Sequence, residues 1–330
     1  MKATLMTDGA MLEAIAPEWE ALWRRGGGTT PFSSPAWLLP WWEVFRPGDL
    51  FTVAVRHDDR LVALAPLYRE DGPWGRRLLP LGISVSDYSD VLIDPEHREA
   101  AGSALLAVLH DHHPLWDLWS AEEAPPDAAV LTLPWGASWT ATIEPHSACP
   151  VLMLPRTVAD LPAAVPARTM RKWRMAQNRV GRRAWRIERA EPGHWRPLLD
   201  DLFALHQQRW IGRNQPGVLA DADVRRFHQR AVPRLLEAGL LRLSRLSIDD
   251  CVAGAYYGFD QGLRSFAYIG GFDPAFAFES PGTILLGAAI EAATHRGASE
   301  FHFLRGQELY KYGWGAVDRW NQRLTIKGCA

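Results

Sequence analysis

Apolar and polar positions along the chain alternate between two periods. Residues 50–56 and 61–68 alternate with period two around the tight turn His57-Asp58-Asp59-Arg60, which predicts a hairpin. Leu12, Ile15, Trp19 and Trp23 fall near helical spacing and predict an amphipathic helix over 12–25. Ser34-Pro35 opens a second helix through Trp41-Trp42-Glu43. A strand over 88–93 closes at Asp94-Pro95, a helix follows over 103–110, and a strand over 116–120. The same order then returns. Helices over 198–210 and 224–237 precede a strand over 240–247, the turn Asp249-Asp250 and a strand over 251–259. A strand over 266–269, Asp273-Pro274, a helix over 283–294 and a strand over 301–304 complete it. Low identity with matching element order predicts two copies of one α/β unit, over 1–150 and 151–330, each a mixed twisted sheet flanked by helices.

The stretch from Phe266 to Gly315 organises the second copy. Gly270-Gly271 interrupts a β-favouring run and lets another backbone come close. Ser280-Pro281-Gly282 predicts a helix start, with Ser280 as N-cap and Pro281 at the first helical position. Backbone N–H groups and the positive end of a helix dipole are then on offer to a phosphate or pyrophosphate. Ordinary capping is the plainer reading of the same residues. The dipole contributes roughly 0.3–1 kcal/mol, whereas micromolar binding needs about 8 kcal/mol. A large cofactor held here needs strand and side-chain contacts as well.

Early in the second copy, after the proline- and alanine-rich stretch 150–166, residues 167–189 read ARTMRKWRMAQNRVGRRAWRIER. Trp173, Ala176, Val180 and Ala184 fall near one helical face, leaving a basic face opposite. That face is either simply solvated or a contact for an anionic substrate, a cofactor or RNA. A net charge of -2 gives the whole chain no field that gathers nucleic acid or membrane. The cysteines, Cys149, Cys251 and Cys329, form neither a metal spacing nor a disulfide framework. They suit a reducing cytoplasm. No apolar run is long enough to span a membrane. Trp is frequent at 16. Many of these residues stand beside polar ones, as amphipathic packing or an aromatic-lined groove would require. His110, His112 and His113 lack the further ligands a metal site needs, so no metal is expected. Gly-x-Ser-x-Gly, HExxH and Walker patterns are all missing.

One resemblance rests on Leu202-Phe203-x-Leu205-His206-x-x-Arg209-Trp210, Phe227-His228, residues 239–243, Gly270-Gly271-Phe272-Asp273-Pro274 and Ser280-Pro281-Gly282. It continues in Phe303-Leu304-Arg305-Gly306-x-Glu308-x-Tyr310-Lys311-x-x-Trp314-Gly315. These residues resemble the CelD/BcsL-type acetyltransferases of the GNAT superfamily over about 165–327. PFSSPAWLLPWWE and YSDVLIDPEH in the first half look like that family's N-terminal part. The resemblance implies tandem GNAT-like units and transfer of an acyl group from acetyl-CoA or another acyl-CoA to a small-molecule amine. Fem-type aminoacyl transferases, which draw on charged tRNA, look like distant relatives and supply a second reading. A degenerate, scaffolding member in polysaccharide or envelope assembly is a third. The general GNAT pyrophosphate loop, Arg/Gln-x-x-Gly-x-Gly/Ala, is replaced here by Glu279-Ser280-Pro281-Gly282-Thr283. His302 stands where the family has an Asp.

In such a unit the strand before the helix splays from its neighbour and pairs with the pantetheine arm. Tyr268, Ile269, Gly270, Gly271 and Phe272 take that role, and Ser280, Gly282 and Thr283 take the pyrophosphate. Strand N–H groups then stabilise the developing oxyanion. An alkylamine acceptor costs about 4–5 kcal/mol to deprotonate at pH 7, so a base is needed. His206 and Glu308 are the candidates, and Tyr310 is the candidate acid for the leaving thiolate. Each also has a structural reading: a core-edge histidine, an ion pair with Arg305 or Lys311, a packed ring. Arg209, Trp210, Arg305 and Lys311 are the candidate substrate contacts. The active site is expected in the second copy, facing the cleft between halves.

Overall fold

The computed structural model describes residues 1–330 apart from 27, 137–138, 212–216 and 329–330, and apart from the side chains of 209–211 and 328. Cys329 and the side chains of Arg209 and Trp210 therefore lie outside the described set. The chain divides into two compact units, Met1–Ser147 with Trp320–Ala330, and Ala148–Arg319.

The first unit contains β1 (Lys2–Met6), α1 (Gly9–Ala14), α2 (Ala16–Arg25), α3 (Pro35–Phe45), β2 (Asp49–Leu50), β3 (Thr52–His57) and β4 (Arg60–Ala65). It continues with β5 (Leu67–Gly72), β6 (Gly75–Pro80), β7 (Leu92–Ile93), α4 (Arg98–Asp111) and β8 (Leu118–Ala124). The helix expected over 12–25 is two helices, because the chain bends at Ile15 just before Pro17. Leu12, Ile15, Trp19 and Trp23 are all buried as the spacing requires. Three of the buried indoles find acceptors: Trp19 donates to Ser33 O at 3.1 Å, Trp23 to Thr30 O at 2.8 Å and Trp37 to Ser86 Oγ at 2.9 Å. The strand expected over 88–93 is only β7, and β5–β6 is a hairpin that the sequence reading missed.

β9 (Trp139–Met153) leads into the second unit, where its end pairs antiparallel with β14. There follow α5 (Leu161–Ala164), α6 (Ala167–Val180), β10 (Trp185–Arg189), α7 (Arg196–Ile211), α8 (Ala222–Glu237), β11 (Leu241–Ile248), β12 (Cys251–Gln261) and β13 (Arg264–Phe272). α9 (Pro281–His295), β14 (Glu300–His302), α10 (Leu309–Gly313) and β15 (Val317–Gly328) complete the chain. The sheet of this unit runs in the order β10, β11, β12, β13, β14, β9. Only β13–β14 is a parallel pair, and α9 makes the crossover. Neighbours on β12 point to opposite faces. Tyr256 belongs to the core beneath α9, while Tyr257 meets His228 of α8. The helices therefore cover both faces of the sheet.

α6 packs its apolar face, Met170, Trp173, Ala176 and Val180, into the core with Ile284 and Leu286 of α9. Ala184, expected on that face, is exposed, since α6 ends at Val180 and the chain leaves helical geometry.

The repeated order is matched in detail. Asp58-Asp59 and Asp249-Asp250 turn their hairpins with positive φ at both residues, 47° and 61° in the first and 47° and 62° in the second. Such turns follow the right-handed strand twist, and Asp tolerates them better than most residues. Asp94 and Asp273 each accept a backbone N–H two residues on, from Glu96 and Ala275 respectively. Each thereby starts a short 3₁₀ turn ahead of α4 or α9.

Candidate active site

β13 and β14 pair over only three positions, Arg264↔Glu300, Ser265↔Phe301 and Phe266↔His302. β14 ends there, while β13 continues to Phe272. The glycine pair 270–271 does not interrupt the strand, as expected from sequence, but lies within it. Its function is close approach. A Cβ on Gly271 would come 2.9 Å from Leu205 Cβ and 3.0 Å from His206 N, so α7 packs directly on this backbone.

The β12–β13 register shifts between Tyr257↔Ile269 and Gly258↔Ala267, leaving Tyr268 as an extra, bulged residue. Bulges re-aim backbone groups and often sit beside active sites. Glycine is required opposite the bulge, because a Cβ on Gly258 would fall 2.4 Å from Phe266 O.

Beside this strand lies a cavity of about 360 Å³. Tyr268, Ile269, Gly270, Gly271 and Phe272 line one side, Gly282 and Thr283 of α9 its end, and Tyr310 and Trp314 the side towards α10. The sequence-derived cofactor residues thus come together around one space, except Ser280. Ser280 stands at the N-cap position but does not cap. Its φ and ψ are 57° and 56°, and its Oγ donates to Ala277 O at 3.3 Å. A non-glycine residue held in this left-handed conformation stores strain of a kind that clusters at ligand sites. Its carbonyl accepts from Thr283 N at 3.0 Å and Ile284 N at 3.2 Å, starting the helix tightly.

The candidate catalytic and substrate residues are more dispersed. Tyr310 borders the cavity and is 51% exposed. His206 is buried on α7 and is not among the cavity residues. Glu308 is exposed and meets the Lys311 ammonium at 2.9 Å. Lys311 is itself buried, and its Nζ donates to the carbonyls of Leu304, Arg305 and Gly306 at 3.1, 2.7 and 3.0 Å. The structure therefore directs Lys311 to its own loop rather than to a substrate. That loop needs holding, for Leu304 is at φ 60° and Gly306 at φ 104°. Arg305 is half-buried beside them.

Two histidines that the sequence reading named without giving them a role, His228 and His302, are buried. His228 sits among Phe227, Tyr257 and Tyr268 with ring centroids 4.8–5.8 Å away. Burial, and after it the charge of His206, push its pKa down to about 3. His302 lies under the splay against Phe266, at 4.8 Å. Burial holds it neutral, and its Nε2 pairs with Glu300 Oε2 at 2.9 Å. This bond and the two-pronged Arg319 contact hold Glu300 well below the usual carboxylate range. Where the resemblance implies an aspartate, this chain carries a neutral imidazole braced by a carboxylate.

Residues 167–312 match the family described as acetyltransferase (GNAT) domain. The second unit has the GNAT fold. Acyl-CoA is the general co-substrate of that domain family. None of the curated proteins matches the sequence. Among solved structures, FemX is similar over 98% of this chain and 97% of its own, with TM-score 0.72 and 11% identity. A protein of unknown function from Bacteroides thetaiotaomicron follows at TM-score 0.65 and 14% identity, covering 98% of this chain and 100% of that one. The C-terminal domain of a putative lysylphosphatidylglycerol synthetase from Agrobacterium fabrum has TM-score 0.58 and 11% identity, over 97% and 92%. At these identities the likeness is one of fold. Among the described residues, no helix is long and apolar enough to cross a membrane.

Proposed function

We propose that the second unit is an acyl-CoA-dependent N-acyltransferase of the CelD/BcsL type, acting in the cytoplasm on a small-molecule amine. The observation that carries this reading is the cavity between the start of α9 and the end of β13, which stays paired with β12 but runs on beyond β14. Its length along β13 suits an extended pantetheine arm, which can pair with the strand as a further strand would. The start of α9 suits the pyrophosphate. The bulge at Tyr268 supports this reading, since a bulge leaves strand groups outside the ladder and an N–H so freed could stabilise an oxyanion.

When bound, the CoA thioester supplies the electrophilic carbonyl. Tyr310 is the one candidate at the cavity wall, and it is placed to give a proton to the leaving sulfur. Glu308 is the accessible carboxylate two residues away, and it takes the proton of the acceptor amine. His206 is set back from the cavity and acts on the shape of β13 instead. If this is right, Tyr310→Phe with Glu308→Gln lowers turnover by 100-fold or more with the fold intact by circular dichroism. Unchanged turnover would overturn the residue roles. Thermal unfolding with acetyl-CoA, longer acyl-CoAs and free CoA tests the donor. Ligand at 100 times its Kd stabilises by about 2.7 kcal/mol, a shift of several degrees for a unit of this size.

One observation favours a second reading, aminoacyl transfer from charged tRNA. Arg168, Arg171, Lys172 and Arg179 share one face of α6, and the Arg179 guanidinium lies 4.4 Å over the exposed Phe278 ring just before α9. Absence of any CoA shift, with RNA retention that weakens steeply as salt rises, would favour it.

A further inference from the structure

A second cavity of the same unit, of about 660 Å³, lies under the C-terminal half of α9. Nothing in the chemistry above uses it. Its floor is apolar: Leu241 and Leu243 of β11, Phe301 of β14 and alanines of α9. Its charged lining residues are Arg189, Glu191, Arg242, Asp260 and Arg296, of which Arg242 and Arg296 both pair with Asp260, at 2.6 and 3.0 Å. Two side chains, Tyr256 and Leu285, line both this cavity and the one beside β13. The cavities are therefore neighbours that share these two side chains as a wall.

The position of that wall is informative. The Tyr256 hydroxyl lies 3.5 Å from Phe266 O. Phe266 is the last β13 residue still paired with β14, so the ring stands at the closed end of the splay. A donor running along β13 from α9 reaches Phe272 first and the Tyr268 bulge last. The group carried on its sulfur then points towards Ala267, Phe266 and the Tyr256 ring. A short acyl group ends before the ring. A longer one meets it, and behind the ring is an apolar space large enough to hold an alkyl chain.

We propose that Tyr256 is the partition that sets acyl length. In place, it restricts the site to short acyl groups; without it, the two cavities join and accept a long alkyl chain. This inference rests on the acyl-CoA reading of the site. An alkyl chain would find carbon to pack against in Leu241, Leu243, Phe301 and the alanines of α9, while Arg242, Asp260 and Arg296 answer one another's charge. Each methylene that gains burial there is worth about fourfold in affinity.

The test is calorimetric binding of free CoA and of acetyl-, hexanoyl- and decanoyl-CoA to the full chain and its variants. The wild type should bind acetyl-CoA at least as well as decanoyl-CoA. Tyr256→Ala should reverse that order and gain on the order of 100-fold for decanoyl-CoA, while Tyr256→Phe keeps the wild-type profile. If Tyr256→Ala does not fold, Leu285→Ala thins the same wall from the helix side and should gain in the same direction. Adding Ala289→Trp, which fills the second cavity, should cancel the gain and leave acetyl-CoA binding unchanged. A length profile that is the same in all folded variants overturns the partition while leaving the acyl-CoA reading standing. Failure of every form to bind free CoA or any acyl-CoA overturns that reading and the partition with it.

Discussion

Lys311 illustrates how a buried charge is made tolerable. Its ammonium meets three carbonyls in successive residues and one carboxylate, so each donor has a partner and the charge is offset. Lys311→Met would leave those carbonyls without their donor, at about 1–3 kcal/mol. Tyr310, the preceding residue, should lose its fixed place. Chemical unfolding should show the loss of stability, and turnover should fall more than CoA affinity. His228 makes a prediction of opposite kind. Its pKa of about 3 in the fold lies below the ~6.5 of an unfolded chain. Below about pH 6.5 the unfolded state takes up the proton first, so stability falls by about 1.4 kcal/mol per pH unit as pH drops towards 3. Above pH 6.5 this contribution is complete. His228→Phe should flatten that part of the pH profile of thermal unfolding, whatever it does to the plateau.

At the scale of elements, α6 and α9 are fitted by one missing side chain. A Cβ on Gly287 would lie 2.3 Å from the Trp173 indole. Gly287→Ala should destabilise the second unit by about 1–3 kcal/mol through overpacking, despite alanine's better helix propensity. Trp173→Leu in the same chain should restore part of the loss by differential scanning calorimetry. This contact also shows what a sequence does and does not disclose. The apolar face of α6 is legible in the spacing of Trp173, Ala176 and Val180, because a helix repeats on itself. The partner at Gly287 is not, because nothing local to that helix demands a glycine. The same division holds at the site. The strand before α9, the Asp-Pro turn and the helix start are local signals and stand where the sequence puts them. The bulge at Tyr268 exists only in the register of β13 against β12, and Ser280 resembles a cap until its backbone is seen to be left-handed. The β5–β6 hairpin escaped because strongly polar residues, Arg69 to Arg77, fill strands that alternate poorly.

For the whole molecule, the two units share an order of elements but not an open site. The place in the first unit that corresponds to the β13–α9 cavity lies beside residues 88–93 and the start of α4. It holds about 10 Å³, against about 360 Å³ beside β13. Asp90 is half-buried at its edge and accepts N–H bonds from Val91, Ala129 and Val130 at 2.8–2.9 Å, so its carboxylate is engaged by the protein itself. Titration with acyl-CoA should therefore give one site per chain. A stoichiometry of two would contradict this reading of the first unit.

The first unit also draws on residues from the far end of the chain. Leu324 and Ile326 of β15 are fully buried in its core, and β15 pairs with β8. During synthesis, the ribosome makes about 170 residues of the second unit before these two emerge. At roughly 5–20 residues per second that is a delay on the order of 10–30 s. Through that interval the first unit waits with an open flank on β8, and the second, although begun later, is the first to have all its strands. Nascent chains of increasing length, probed by pulse proteolysis, should gain protection in that inverted order.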